Sequence, residues 1–181
     1  TTLFRSEEYL SLNHFIEDLK VSRNTVLRDL KEVDHALWQH ELALKYTRQK
    51  GYFIQGDEWN KRNLLSDLLN NLAVMYNGIN VIIQFANIDP QQIEIFRKRV
   101  ELVEEELDVQ FTDERLKTLP LLIILMIRRA QKGKLISYSF KVNYRELADT
   151  KEYLAADRVI WDVDGLSENE RVYVTMLLLT T

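Results

Sequence analysis

Leu19-Lys20-Val21-Ser22-Arg23-Asn24-Thr25-Val26-Leu27-Arg28-Asp29-Leu30-Lys31-Glu32-Val33 is the stretch whose reading decides how the first third of the chain folds. Ser22 stands at the head of a helix-forming run, with only Lys20 and Val21 between it and Leu19, which ends another, so it predicts an N-cap and a sharp turn between two helices. Upstream, Ser11 predicts the cap of a short helix carrying Leu12, Phe15, Ile16 and Leu19. At about 100° per residue, Val26, Leu30, Val33 and Leu37 fall within about 60° of one another and predict one buried stripe. Asn24, Arg28, Lys31 and His35 fall on the opposite side and form a polar, partly basic front.

Beyond this pair, Leu42, Leu44 and Tyr46 alternate with Ala43 and Lys45, the polar cluster Thr47-Arg48-Gln49-Lys50-Gly51 follows, and Tyr52-Phe53-Ile54-Gln55 resumes an apolar run. That pattern predicts a β-hairpin with a loose, basic tip. A tight helix pair with an apolar back and a polar front, followed by such a hairpin, is the layout of a winged helix-turn-helix. We assign it to residues 1–56 and expect residues 57–181 to form a second, all-helical domain, so the fold class is mainly α.

In that second part Asp57 predicts the start of a helix carrying Leu64, Leu65, Leu68, Leu69 and Leu72, with Asn77-Gly78 as its end. Asp89-Pro90-Gln91-Gln92 predicts another start, with Gln92 reaching back to the cap and Ile93, Phe96, Val100, Val103 and Leu107 as its stripe. Thr112 opens a long apolar helix running to about Gly133, in which Pro120 marks a kink or a restart. Ser167-Glu168-Asn169-Glu170 reads as a capping box for a terminal helix whose apolar residues, Val172 to Leu179, run to the last positions. A helix that apolar requires a neighbour.

Composition narrows the function. With 181 residues, 46% of them apolar, 29% charged, and only 5 Gly and 2 Pro, disorder and collagen-like repeats are excluded. Zero Cys excludes disulfide scaffolds, thiolate zinc sites and cysteine nucleophiles, and agrees with a reducing, cytoplasmic setting. The longest apolar run, Leu121 to Ile127, is too short to span a membrane and ends in Arg128-Arg129. Thr1 to Leu10 lacks the pattern of a signal peptide, and with no initiator Met the chain reads as an internal piece of a longer protein. The net charge is −4; residues 1–56 hold eight basic and eight acidic residues, so the deficit lies wholly after them. Electrostatics therefore contributes modestly to any nucleic-acid binding by the first domain.

The candidate DNA contacts are Ser22, Arg23, Asn24, Thr25, Arg28 and Lys31 on the second helix and Arg48 and Lys50 at the hairpin tip. Arg suits guanine and Asn suits adenine in the major groove, whereas Lys, Ser and a basic turn suit phosphate or the minor groove. The competing reading for each is structural: Ser22 as a cap alone, Arg28 as an ion-pair partner of Asp29 or Glu32, the hairpin tip as an ordinary exposed turn. His14, His35 and His40 show no metal-ligand spacing, and Glu104-Glu105-Glu106 reads as a solvated helix face. Catalysis, metal and cofactor are not expected: there is no Gly-rich phosphate loop, no paired His on a helix and no Gly-x-Ser-x-Gly elbow.

The residues Val21-Ser22-x-x-Thr25-Val26-x-Arg28-Asp29-Leu30, followed by Gly51-Tyr52-x-Ile54-x-Gly56, resemble the helix-turn-helix and wing of PRD-containing bacterial transcription regulators, the BglG, mannitol-activator and Mga-like group. Leu121 to Gly133, with Arg129 four residues before Gly133, resembles the first core helix of the phosphotransferase-regulation domain in that family, and Glu170 to Leu179, with Glu170 and Tyr173, its closing helix. The resemblance implies a DNA-binding regulator of carbohydrate-uptake or virulence-type operons, acting as a homodimer on double-stranded DNA and not in a membrane. It also implies control through phosphorylated histidines on the two helices. Here the aligned positions are Leu122 and Leu177, and no histidine follows residue 40, so any control by phosphotransferase-system proteins would lie in parts of the protein outside this chain. The rival expectation is a protein-interaction or dimerisation module whose winged helix is kept for packing. RNA antitermination is disfavoured because antiterminators of the group carry a small β-domain in front.

Overall fold

The computed structural model describes residues 10–137 and 147–179, so the readings placed on Thr1–Tyr9 and on the last two residues lie outside the described residues. The chain divides into two compact units, Thr1–Leu64 and Leu65–Thr181.

In the first unit Ser11 caps α1 (Leu12–Leu19): its Oγ accepts the His14 N–H at 3.4 Å while His14 Nδ1 accepts the Ser11 N–H at 3.0 Å. That reciprocal pair satisfies two backbone donors which the first turn leaves open. Lys20, in the left-handed region at φ 54°, ends α1, and the extended Ser22 begins α2 (Arg23–Trp38), so the turn is made by Lys20-Val21-Ser22. Val26 and Leu37 are buried and Leu30 half-buried, as their spacing predicts. Val33, in the middle of the same stripe, is exposed, and so is Leu19 on α1. Periodicity fixes the direction in which a side chain points but not how far the covering element reaches. The hairpin meets α2 one residue to the side of Val33, through Asp34, whose Oδ1 accepts the Leu44 N–H at 2.7 Å.

Strands β1 (Ala43–Thr47) and β2 (Gly51–Gln55) pair antiparallel from Ala43↔Gln55 to Thr47↔Gly51, which leaves Arg48-Gln49-Lys50 as the tip. Gly51 is required twice over. Its φ is +65°, and a Cβ there would lie 2.5 Å from the Leu10 carbonyl oxygen, because Leu10 bridges to Gly51 and accepts the Tyr52 N–H at 2.8 Å. Gly51→Ala is therefore expected to cost about 1–3 kcal/mol and to speed hydrogen exchange at the Tyr52 amide. Unchanged exchange there would show that the hairpin does not depend on this contact.

Helix α3 (Glu58–Ala73) carries the chain across the boundary between the units. In its first turns Arg62 is completely buried and its Nε donates to Glu58 Oε1 at 3.1 Å. In the second unit α3 stops at Ala73, sooner than Asn77-Gly78 predicts, because Met75 N–H has already turned back to the Leu72 carbonyl at 3.0 Å. Asn77-Gly78 instead starts α4 (Gly78–Ala86). Asp89 caps α5 (Pro90–Leu107), accepting the Gln91 N–H at 2.9 Å, with Pro90 in the first turn. Gln92, expected to reach back to that cap, accepts from Arg128 Nη2 at 3.3 Å.

Thr112 caps α6 (Asp113–Gln131), one continuous helix through Pro120, so no restart occurs there. Every residue from Thr118 to Ile127 is buried, the mark of a helix enclosed on all sides. Gly133, at φ +71°, ends α6 in a Schellman motif: Gly133 N–H donates to Ala130 and Lys134 N–H to Arg129, at 2.9 and 3.0 Å. Helices α7 (Lys151–Val159) and α8 (Glu168–Leu179) complete the unit. Packing runs in a closed ring, α6 on α5, α5 on α7, α7 on α8 and α8 on α6. Ser167 Oγ accepts the Glu170 N–H at 3.4 Å, as a capping box requires, but the buried Glu170 carboxylate takes the Ile136 N–H at 2.9 Å. Among the described residues no helix is long and apolar enough to cross a membrane.

Candidate nucleic-acid interface

Three of the eight residues singled out in the sequence, Asn24, Arg28 and Lys31, share one exposed stripe of α2 with His35, opposite the buried Val26 and Leu37. Arg23 is exposed in the first turn, to one side of that stripe. Ser22 and Thr25 are committed locally: Ser22 Oγ accepts the Thr25 N–H at 3.2 Å and lies 2.9 Å from Thr25 Oγ1. The cap thus fixes the direction in which the first turn of α2 points. Arg48 and Lys50 stand apart from the stripe, exposed at the hairpin tip, where Lys50 N–H donates to Thr47 Oγ1 at 3.0 Å and its ammonium lies 5.6 Å from the centre of the Phe53 ring.

Arg28 takes up its structural alternative as well. Its Nε and Nη2 lie 3.3 and 3.2 Å from Asp29 Oδ1. Both side chains are well exposed, and an exposed pair of this kind is worth about 1 kcal/mol or less. A charge-assisted contact to phosphate or a bidentate contact to guanine is stronger, so the Asp29 pair does not withhold Arg28 from a ligand.

Two residues outside the sequence-derived set also shape this face. Asp34 couples the helix to the hairpin through Leu44, and a lone polar residue at the edge of an apolar stripe carried no signal of that role. Tyr46, exposed on β1, packs on Tyr52 with ring centroids 4.9 Å apart, and Tyr52 packs edge-on against Phe15 at 5.8 Å. The Tyr46↔Tyr52 register that aligns these rings was legible once the hairpin was assigned.

In the second unit Leu122 is completely buried on α6 and Leu177 is buried on α8. Arg129, Glu170 and Tyr173 are buried too. Arg129 supplies through its carbonyl the acceptor of the Schellman motif that Gly133 closes, which gives the glycine at 133 a physical reason. Glu170 and its neighbour Asn169 hold the backbone of Ile136 at both its N–H and its carbonyl, Asn169 Nδ2 donating to that carbonyl at 3.1 Å.

Comparison with known proteins agrees with both halves. A model of the Mga helix-turn-helix domain matches residues 1–69, and a model of the PRD domain matches residues 97–181. The chain is 25% identical to the "Probable licABCH operon regulator" of Bacillus subtilis (strain 168), over 99% of this chain and 28% of that protein. It is 26% identical to "Transcriptional regulator ManR" of the same organism, over 96% of this chain and 26% of that protein. Over half of its length it is 30% identical to "Putative transcriptional regulator MtlR" of Streptococcus mutans serotype c (strain ATCC 700610 / UA159), covering 14% of that protein. It spans about a quarter of the length of the two Bacillus relatives. With a winged helix at its start, an enclosed helical ring after it, and both family models matched in that order, the chain carries a Mga helix-turn-helix domain over residues 1–69 ahead of a PRD domain over residues 97–181.

Proposed function

We propose that the chain binds double-stranded DNA through α2 and the hairpin tip, with Asn24, Arg28, Lys31 and Arg23 toward the major groove, Arg48 and Lys50 toward phosphate or the minor groove, and Ser22 and Thr25 presenting the first turn. The observation that carries this is the exposed Asn24-Arg28-Lys31 stripe on a helix capped by Ser22, inside the segment that matches the Mga helix-turn-helix model. In this reading residues 1–56 are the DNA-binding domain and residues 57–181 the regulation domain, joined by α3. The chain acts by binding alone, without chemistry, in the cytoplasm of a bacterium, and as a homodimer whose two α2 helices enter successive major grooves about 34 Å apart. The relatives, named as an operon regulator and a transcriptional regulator, support a role in transcription control, and the operons we propose are of the carbohydrate-uptake or virulence type. With leucine at both aligned histidine positions, this PRD domain is not itself phosphorylated on histidine, and phosphotransferase-system proteins act, if at all, on other parts of the protein.

Titration of a labelled random-sequence duplex with this chain, followed by fluorescence anisotropy at low and moderate salt, tests the reading. If about four phosphates are neutralised, log K falls against log salt with a slope near −3.6. Absence of binding at low salt would instead favour the rival, a winged helix kept as a protein-interaction surface, which the balanced charge of residues 1–56 also suits.

A further inference from the structure

Helix α5 carries a second apolar row beside its buried stripe. Its inner stripe, Phe96, Val100 and Val103, is buried within the second unit. About a third of a turn round the helix, Ile95 is 49% exposed and Leu102 62% exposed, seven residues apart and therefore in line along the helix. Lys98 and Glu105, about 40–60° to the side of Leu102 that faces away from the buried stripe, are exposed as well. A helix with solvent on its outer face has no need of this second apolar row. Beside Leu102 lies Trp161, 71% exposed, and the two share a shallow groove of about 540 Å³ that Arg99, Arg158, Glu105 and Glu106 border. Three of those charges are already paired within the chain: Arg99 forks onto Asp162 at 2.7 and 2.6 Å, and Arg158 meets Glu106 at 2.7 Å. The Arg99 hydrogen bonds hold the Asp162 carboxyl below its ordinary pKa. What remains is Lys98, held only loosely by Glu94 at 3.7 Å, and Glu105.

The spacing of these residues makes the face complementary to itself. Lys98 lies four residues before Leu102 and Glu105 three residues after it, about 6 Å and 4.5 Å along the axis at 1.5 Å per residue. A two-fold axis through Leu102 lays a second α5 antiparallel on the first and sets each Lys98 opposite a Glu105. An isologous contact favours this arrangement, an apolar centre with opposite charges on either side whose distances from it differ by only about 1.5 Å. Exposed Trp161 next to the centre supplies the large aromatic that anchors such interfaces.

We propose that the outer face of α5, with Trp161, is where two copies of this chain meet, Leu102 against the partner's Leu102 and Lys98 against the partner's Glu105. The inference rests on the dimeric reading given above and assigns its surface. Light scattering on the purified chain across a micromolar concentration series tests it. The wild type is expected at about twice the 21.5 kDa of the chain. Leu102→Lys, Lys98→Glu and Glu105→Lys, each checked for unchanged helicity by circular dichroism, are each expected to weaken self-association tenfold or more. Equimolar mixing of Lys98→Glu with Glu105→Lys restores complementary charges on both sides of the axis, so the mixture is expected to dimerise although neither variant does alone, a result that misfolding cannot give. A monomeric wild type at the highest concentration overturns the dimeric reading and the face together. A dimer that Leu102→Lys leaves intact, or single variants that fail to recover on mixing, overturns the face and leaves the dimeric reading standing.

Discussion

Glu58→Ala is expected to lower the free energy of unfolding by about 3–5 kcal/mol, the range for a buried ion pair that loses one member. Arg62 is completely buried and Glu58 nearly so, one turn apart on α3 with Nε 3.1 Å from Oε1. Truncating the carboxylate leaves the guanidinium in a low-dielectric site without that counter-charge, and its desolvation is then less well compensated. Glu58→Gln keeps an acceptor of the same shape and should fall between Ala and wild type. Replacing both residues with apolar ones of similar volume, as in Glu58→Leu/Arg62→Met, is expected to recover part of that loss, because it removes the buried charge as well as the carboxylate. Urea unfolding together with hydrogen exchange along α3 distinguishes these cases. A loss below about 1 kcal/mol in Glu58→Ala would show that the pair contributes no more than an exposed one.

The second large effect concerns the proposed DNA face. Arg23→Ala/Arg28→Ala removes two exposed cations from the first two turns of α2. If each contacts DNA at about 1–3 kcal/mol, the double variant loses about 2–6 kcal/mol, a factor of roughly 30 or more in affinity. On random-sequence duplex the salt slope should also become shallower by about 1.8, since each phosphate contact contributes about 0.9. Neither side chain is buried, so stability should change little. Equal binding by variant and wild type would place the contacts elsewhere, with the hairpin tip, Arg48 and Lys50, the next pair to test.

What the sequence made legible is what short-range chemistry determines. Ser11, Ser22, Asp89 and Thr112 each cap the helix that their position predicts, because a capping oxygen and the amide it accepts lie within three residues of each other. The hairpin was legible for the same reason, its alternation and its turn residues being adjacent in the chain. Long-range competition hid the rest. Gln92 and Glu170 have the right identity and spacing to reach back to their caps, yet Arg128 and the Ile136 amide, distant in sequence, engage them instead. Val33 and Leu19 lie on the correct faces, but exposure depends on how far the neighbouring element extends, which no local pattern encodes. In the candidate site, the exposed stripe of α2 was legible from helical spacing, whereas Asp34, which ties that helix to the hairpin, was not.

The attachment of α8 bears on how this helix can move. Asn169 and Glu170 grip the Ile136 backbone at its beginning, Arg171 pairs with Asp157 on α7, and Arg115 donates to the Leu177 carbonyl near its end. A rod clamped at both ends and at a third point between them cannot be drawn along its axis without releasing every clamp together. A pull on the chain at Leu179 is therefore borne by several elements in parallel, as in a lap joint loaded in shear. Such joints hold up to a threshold and then fail all at once, so the second unit should respond to force at that end with a single abrupt step, with no gradual fraying before it.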